Sequence, residues 1–199
     1  TYDVNSNLIG AMDPNGNLTS YTYDNDHQLL TMIDPRGNTV VSNTYDTANR
    51  VVTYQTDAKG APTNYSYQPL DRVTTITDAM NNDVVHYHDE LLRLIKEVDA
   101  NGAEMSYVYD AAGNRVSITD KNGNQTQYGY DVYGNVTTKT DALGYVTKIT
   151  YDAQNNPLTR TNALGNVTQF QYDASGNLAQ TTDALGNVAS VRHTAGGQP

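Results

Sequence analysis

The chain has no cysteine, no tryptophan and a single phenylalanine among its 199 residues. Without cysteine, disulfides and thiolate-bound metals are excluded. No apolar run approaches the roughly 18–20 residues that a membrane-crossing helix needs, so no membrane span is expected. Basic residues are sparse as well, with 12 Lys and Arg against 22 Asp and Glu, for a net charge of −10. They are scattered and form no stripe that could neutralise phosphates, so nucleic acid is not an expected partner.

What the chain has in quantity is tyrosine, 16 copies of it. Nine of them recur at near-constant spacing: Tyr2, Tyr23, Tyr45, Tyr67, Tyr87, Tyr109, Tyr130, Tyr151 and Tyr172, at intervals of 20 to 22 residues. His193 takes the next slot. A fixed period of this size is the mark of one supersecondary unit used repeatedly. Residues 1–199 therefore read as a single array of about nine repeats, begun and ended within a repeat.

The segment from Tyr130 to Tyr151 shows the unit. Asp131–Gly134 and Asp141–Gly144 are two D-x-x-G groups that separate two short strands. Asp at the first position and Gly at the fourth suit a type I turn followed by a left-handed residue, a common hairpin loop. Gly113, Gly134, Gly144, Gly165, Gly176 and Gly186 hold that fourth position, and Asn49, Asn81 and Asn155 replace glycine elsewhere, asparagine being tolerant of positive φ. The acidity of the chain is thus largely a by-product of its turns. Two residues before each repeat tyrosine stands a mostly large apolar group (Tyr21, Tyr65, Val85, Tyr107, Tyr128, Ile149, Phe170), with a mostly polar residue between. That is the period-2 alternation of a strand with one buried face. An aliphatic residue six or seven positions after the tyrosine, such as Val136, Leu158 or Leu178, opens the partner strand. The expected fold is all-β, built from tandem hairpins of about 21 residues.

The pattern Y-D-x-x-G-N-x-x-x-x-T-D-A-x-G-N resembles the YD repeat, or RHS repeat. Tyr109–Arg115, Tyr130–Asn135 and Tyr172–Asn177 carry it most clearly, and it runs through the whole chain. The family includes bacterial Rhs polymorphic toxins, the B and C components of Tc toxins, wall-associated proteins and teneurins. The resemblance implies a long curved sheet, an arc of a hollow shell. It implies a non-catalytic segment of a large secreted or cell-surface bacterial protein whose shell encapsulates or presents a C-terminal toxin domain. The alternative is an adhesive surface that binds glycan or protein. The family's self-cleaving closing segment is not recognisable in these residues, so neither autoproteolysis nor a toxic activity is assigned.

Three local features invite sharper readings. Asp13–Asn17 and Asp120–Asn124 look like the start of a calcium loop, but no bidentate acid or flanking helix follows, and they read as turns. His86 and His88 lie at i and i+2 beside carboxylates, which makes them the weak candidates for a zinc or copper site. Their turn is among the most eroded in the array, so they read as structural. Serines and histidines are too dispersed for a nucleophile and base, and no enzyme activity, cofactor or metal is expected. The partners expected are adjoining repeats of the parent chain, an enclosed toxin domain, and edge-to-edge association through unpaired terminal strands.

Overall fold

The computed structural model describes residues 1–48 and 50–191. Among the described residues there are no helices, and 18 strands follow one another in chain order. They divide into two compact units, Thr1–Ala103 and Glu104–Pro199. The first holds β1 (Gly10–Met12) to β9 (Leu94–Val98), and the second β10 (Glu104–Tyr109) to β18 (Val188–Ser190). Within each unit every strand pairs antiparallel with the one before it. Most strands have five or six residues, shorter than the repeat could accommodate, because the turns consume the rest. Val, Ile, Thr and aromatic residues fill them, the types that fit a pleated, half-buried surface.

The two hairpin types differ in register. At the second turn of the repeat the pairing is regular, as in Thr140↔Val146 before Asp141 and Thr161↔Val167 before Asn162, except at Asp34, where the register shifts between Met32 and Ile33. At the Y-D turn a bulge recurs: Gly129 faces Thr138, yet Tyr130 faces Val136, which leaves Thr137 without a partner. The same shift occurs at Tyr23, Tyr45, Tyr109, Tyr151 and Tyr172. Each such bulge adds local right-handed twist.

The fifth repeat follows this rule only with its frame moved by one. Its bulge falls between Tyr87 and His88, with Tyr87 facing Lys96 and His88 facing Leu94. His88 therefore holds the place assigned by spacing to Tyr87, and Asp89 opens the turn. The intervals then become 21 residues on both sides, from Tyr67 to His88 and from His88 to Tyr109. Tyr87 points to the opposite face, where Lys96 Nζ lies 4.5 Å from its ring centroid. His86 and His88 replace the aromatic pair of neighbouring repeats.

Burial departs from the expectation of one covered face. The alternation is present in the strand that ends on each tyrosine: Ile149 and Tyr151 are half-buried while Lys148 and Thr150 are exposed. In the partner strand, Leu158 and Leu178 are exposed rather than covered. Among the described residues no hydrophobic side chain is buried, and the buried residues are Gly10 and Ser117, the latter 8% exposed. The accessible surface is 13376 Å², against about 9,300 Å² for a globular monomer of this mass. A single layer of strands has no second layer to bury its apolar groups against.

Candidate functional site: the repeat turns and the tyrosine clamps

Each Y-D or T-D turn is held by one carboxylate. Asp131 Oδ1 accepts the backbone N–H groups of Tyr133 and Asn135, both at 2.9 Å. Its Oδ2 accepts Asn135 Nδ2 at 3.0 Å. The Gly134 N–H donates to the Asp131 carbonyl at 3.2 Å, and the Asp131 N–H to the Asn135 carbonyl at 3.0 Å. Asp183 repeats the scheme at the other edge, taking Leu185 N–H, Asn187 N–H and Asn187 Nδ2 at 2.9, 2.8 and 2.7 Å. The asparagine after the turn glycine is thus a functional part of the lock. The G-N dipeptide was visible in the sequence, but its amide partner was not.

These contacts set the chemistry of the carboxylates. The Asn187 side chain, then its backbone N–H, hold the Asp183 carboxyl below its ordinary range, and Asn135 does the same for Asp131. Such groups stay ionised and saturated with donors, the opposite of a poised general acid. The glycines stand where left-handed backbone is required: Gly113, Gly134, Gly144, Gly165, Gly176 and Gly186 have φ of 92, 85, 84, 82, 82 and 83°. Asn81 and Asn155 adopt the same conformation, while Asn49 lies outside the described residues. Ser6, His27, Leu92 and Arg72 are left-handed as well, which composition gave no reason to expect. At these sites the flanking ladder dictates φ and the side chain complies.

The repeat tyrosines act as clamps. Tyr45, Tyr67, Tyr130 and Tyr151 donate their hydroxyls to the carbonyls of Leu29, Val52, Arg115 and Val136, at 2.8 to 3.0 Å. Each bond crosses to the start of the preceding strand and ties the open end of a hairpin. Burial raises the phenol pKa of Tyr67, Tyr151 and Tyr172, with Asp131 and Asp152 adding to the shift at the last two. Tyr23 and Tyr109 are half-buried in equivalent positions, Tyr2 is exposed, and His193 lies outside the described residues. Turns also touch from repeat to repeat. Asn135 Nδ2 donates to Asn155 Oδ1 at 2.8 Å, and His27 Nδ1 lies 2.7 Å from Asn7 Oδ1.

A model of the RHS Repeat matches residues 2–39, 45–79, 88–125, 109–146 and 151–188. The chain belongs to the RHS-repeat family. The third RHS match begins at His88, the residue that the bulge places in the tyrosine slot. The fold is similar to that in a crystal structure of TcdB2-TccC3-Cdc42, with a TM-score of 0.51 and 14% identity over 99% of this chain and 15% of that one. A crystal structure of TcdB2-TccC3 aligns with a TM-score of 0.49 at 13% identity, covering 98% of this chain and 15% of that one. The Photorhabdus luminescens Tc holotoxin pore aligns at 0.41 and 15% identity, covering 98% and 15%. This RHS segment thus spans about 15% of the length of the chains it matches. Curated protein sequences give no match.

In this RHS segment the His86 and His88 imidazoles are engaged with the protein itself. His86 Nε2 is 3.4 Å from Glu97 Oε2, and His88 Nδ1 is 3.2 Å from the Arg72 carbonyl. Their rings meet edge-on with centroids 6.3 Å apart. Among the described residues no group of three or more His, Asp or Glu side chains is placed to hold a metal. Among them, too, no helix is long and apolar enough to cross a membrane.

Proposed function

We propose that residues 1–199 form one continuous wall segment of a larger RHS shell, non-catalytic in itself, in a secreted bacterial protein that encloses a C-terminal toxin domain. The observation that carries this reading is the absence of a core: among the described residues the repeats bury almost nothing alone and spend their polar groups on turns and clamps. Such a layer is stabilised by neighbours on either side, as in other repeat arrays. The fold likeness to TcdB2-TccC3-Cdc42, of which this chain spans 15%, supports a place within a larger assembly. Asp131 and Asp183, held ionised inside their turns, support a scaffold in preference to an enzyme.

Limited proteolysis of the parent protein tests the proposal. The region that follows the repeats is expected to resist protease in the intact protein. It should become sensitive when paired turn lesions, such as Gly144→Val with Gly165→Val, open the wall. Equal sensitivity of that region in both proteins would contradict an enclosing role.

A further inference from the structure

Between the regular Y-D turns at Asp110 and Asp131 lies a small acidic groove of about 370 Å³ that carries both aspartates. In the first unit the corresponding groove is nearly twice as large, about 660 Å³, and its lining holds one aspartate, Asp46, together with Arg72. Here the repeat tyrosine is followed by Gln68 instead of aspartate, so the turn has no carboxylate lock. The hairpin closes instead through Gln68↔Val73 without a bulge, around Pro69–Arg72. Gln68 and Arg72 line the groove where the regular repeat has its turn aspartate.

Arg72 is held for presentation. Its backbone is left-handed, with φ of 55°. Its carbonyl accepts the His88 backbone N–H at 2.9 Å and is approached by His88 Nδ1 at 3.2 Å. Among the described residues its guanidinium has no carboxylate partner, whereas Arg36 and Arg93 pair with Asp34 and Asp89. Asp46, the one acid lining the groove, directs Oδ1 at the Ala48 N–H (2.8 Å). Val51, Val73 and Leu92 supply apolar walls, with the rings of Tyr65 and Tyr67 beside them. A guanidinium without a carboxylate partner, on a residue that lines a groove with apolar walls, suits a carboxylate attached to an apolar body, since the planar fork matches a carboxylate bidentately. The volume lies in the range of about 300–1,000 Å³ usual for small-molecule sites.

We propose that the groove between the turns at Asp46, Gln68 and His88 is a binding site for a small carboxylate bearing an aromatic or apolar group, with Arg72 as its anchor. The site does not depend on the enclosing role, and either can fail alone. The test is a titration of the full chain with phenylacetate, followed through backbone amide NMR resonances of Gln68, Arg72 and His88. Phenylacetamide, the neutral isostere, is titrated in parallel. Saturable shifts at these amides are expected with phenylacetate, and at least tenfold weaker binding with phenylacetamide. Arg72→Asn, which tolerates the left-handed backbone, should weaken phenylacetate at least tenfold, while Arg36→Asn should leave it unchanged. Arg72→Lys should retain part of the affinity. Equal binding of the two probes, unchanged affinity in a folded Arg72→Asn chain, or no saturable shift would each overturn the proposal.

Discussion

The Tyr151 hydroxyl donates to the Val136 carbonyl at 2.9 Å, across the open end of the hairpin whose turn is Asp141–Tyr145. One residue thereby performs two tasks. Its ring covers part of a single-layer sheet, and its hydroxyl fixes the strand that precedes it. Tyr151→Phe should keep the first and lose the second. The expected loss is about 0.5–1.5 kcal/mol, the net worth of an ordinary hydrogen bond. Tyr133→Phe, at a turn position 78% exposed, should change stability by less than about 0.5 kcal/mol. Urea denaturation of both variants measures the difference.

The turn aspartates give the array an acid limit. The folded carboxyl of Asp183 is held below the ordinary aspartate range, chiefly because Asn187 donates to it. A depressed carboxyl contributes stability above its unfolded pKa and loses it as pH falls through the folded value. The melting temperature should therefore hold from neutral pH to about pH 5 and fall below about pH 4. In Asn187→Ala the Asp183 carboxyl carbon, followed by NMR, should titrate closer to the ordinary aspartate range than in the parent. An unmoved midpoint would show that the amide does not hold the carboxylate.

Left-handed positions separate backbone strain from packing. A Cβ at Gly144, φ 84°, would meet nothing within 4 Å, so any cost is conformational. Gly144→Val should destabilise by about 1–2 kcal/mol, because a β-branched residue resists positive φ. Gly144→Asn should cost less. The converse applies at Leu92, φ 59°, where Leu92→Gly should gain about 0.5–1 kcal/mol by relieving the same strain. Thermal melts of the three variants decide it, and a loss at Leu92→Gly would contradict the strain argument.

The frame of the fifth repeat is testable through its substituted residue. If His88 occupies the tyrosine slot, His88→Tyr should be accommodated, with an unchanged or higher melting temperature. Zinc should leave the melting temperature of the parent within error. A site filled at 100 times its Kd would add about 2.7 kcal/mol, so a saturable rise would restore His86 and His88 as ligands.

Much of this fold was legible because its local rules are strict. Asp and Gly at the ends of a four-residue turn have a narrow conformational meaning, and they recur. The strands followed from what remained between turns. What stayed hidden depended on register or on the absence of a second layer. Asp89 after His88 was the signal that could have moved the frame off Tyr87, since the turn aspartate is the more constant partner. Asn114 and Asn187 could be seen beside their glycines, but an amide reaching back four residues is a property of the folded turn. The exposure of Leu158 and Leu178 was not readable either. Periodicity identifies which residues share a face and is silent on whether anything covers it. The groove at Arg72 arose where the pattern lapsed, at Gln68, a place that marks irregularity in sequence without revealing shape.

The central claim is that each hairpin is supported by its neighbours alone, without a shared core. Shortening the chain by one and then two whole repeats from the Tyr172 side, with urea unfolding of each product, tests this most directly. The account predicts a near-constant decrement of stability per repeat, with amide resonances of the distant repeats unchanged. Unfolding of the entire chain on loss of the first repeat would contradict it.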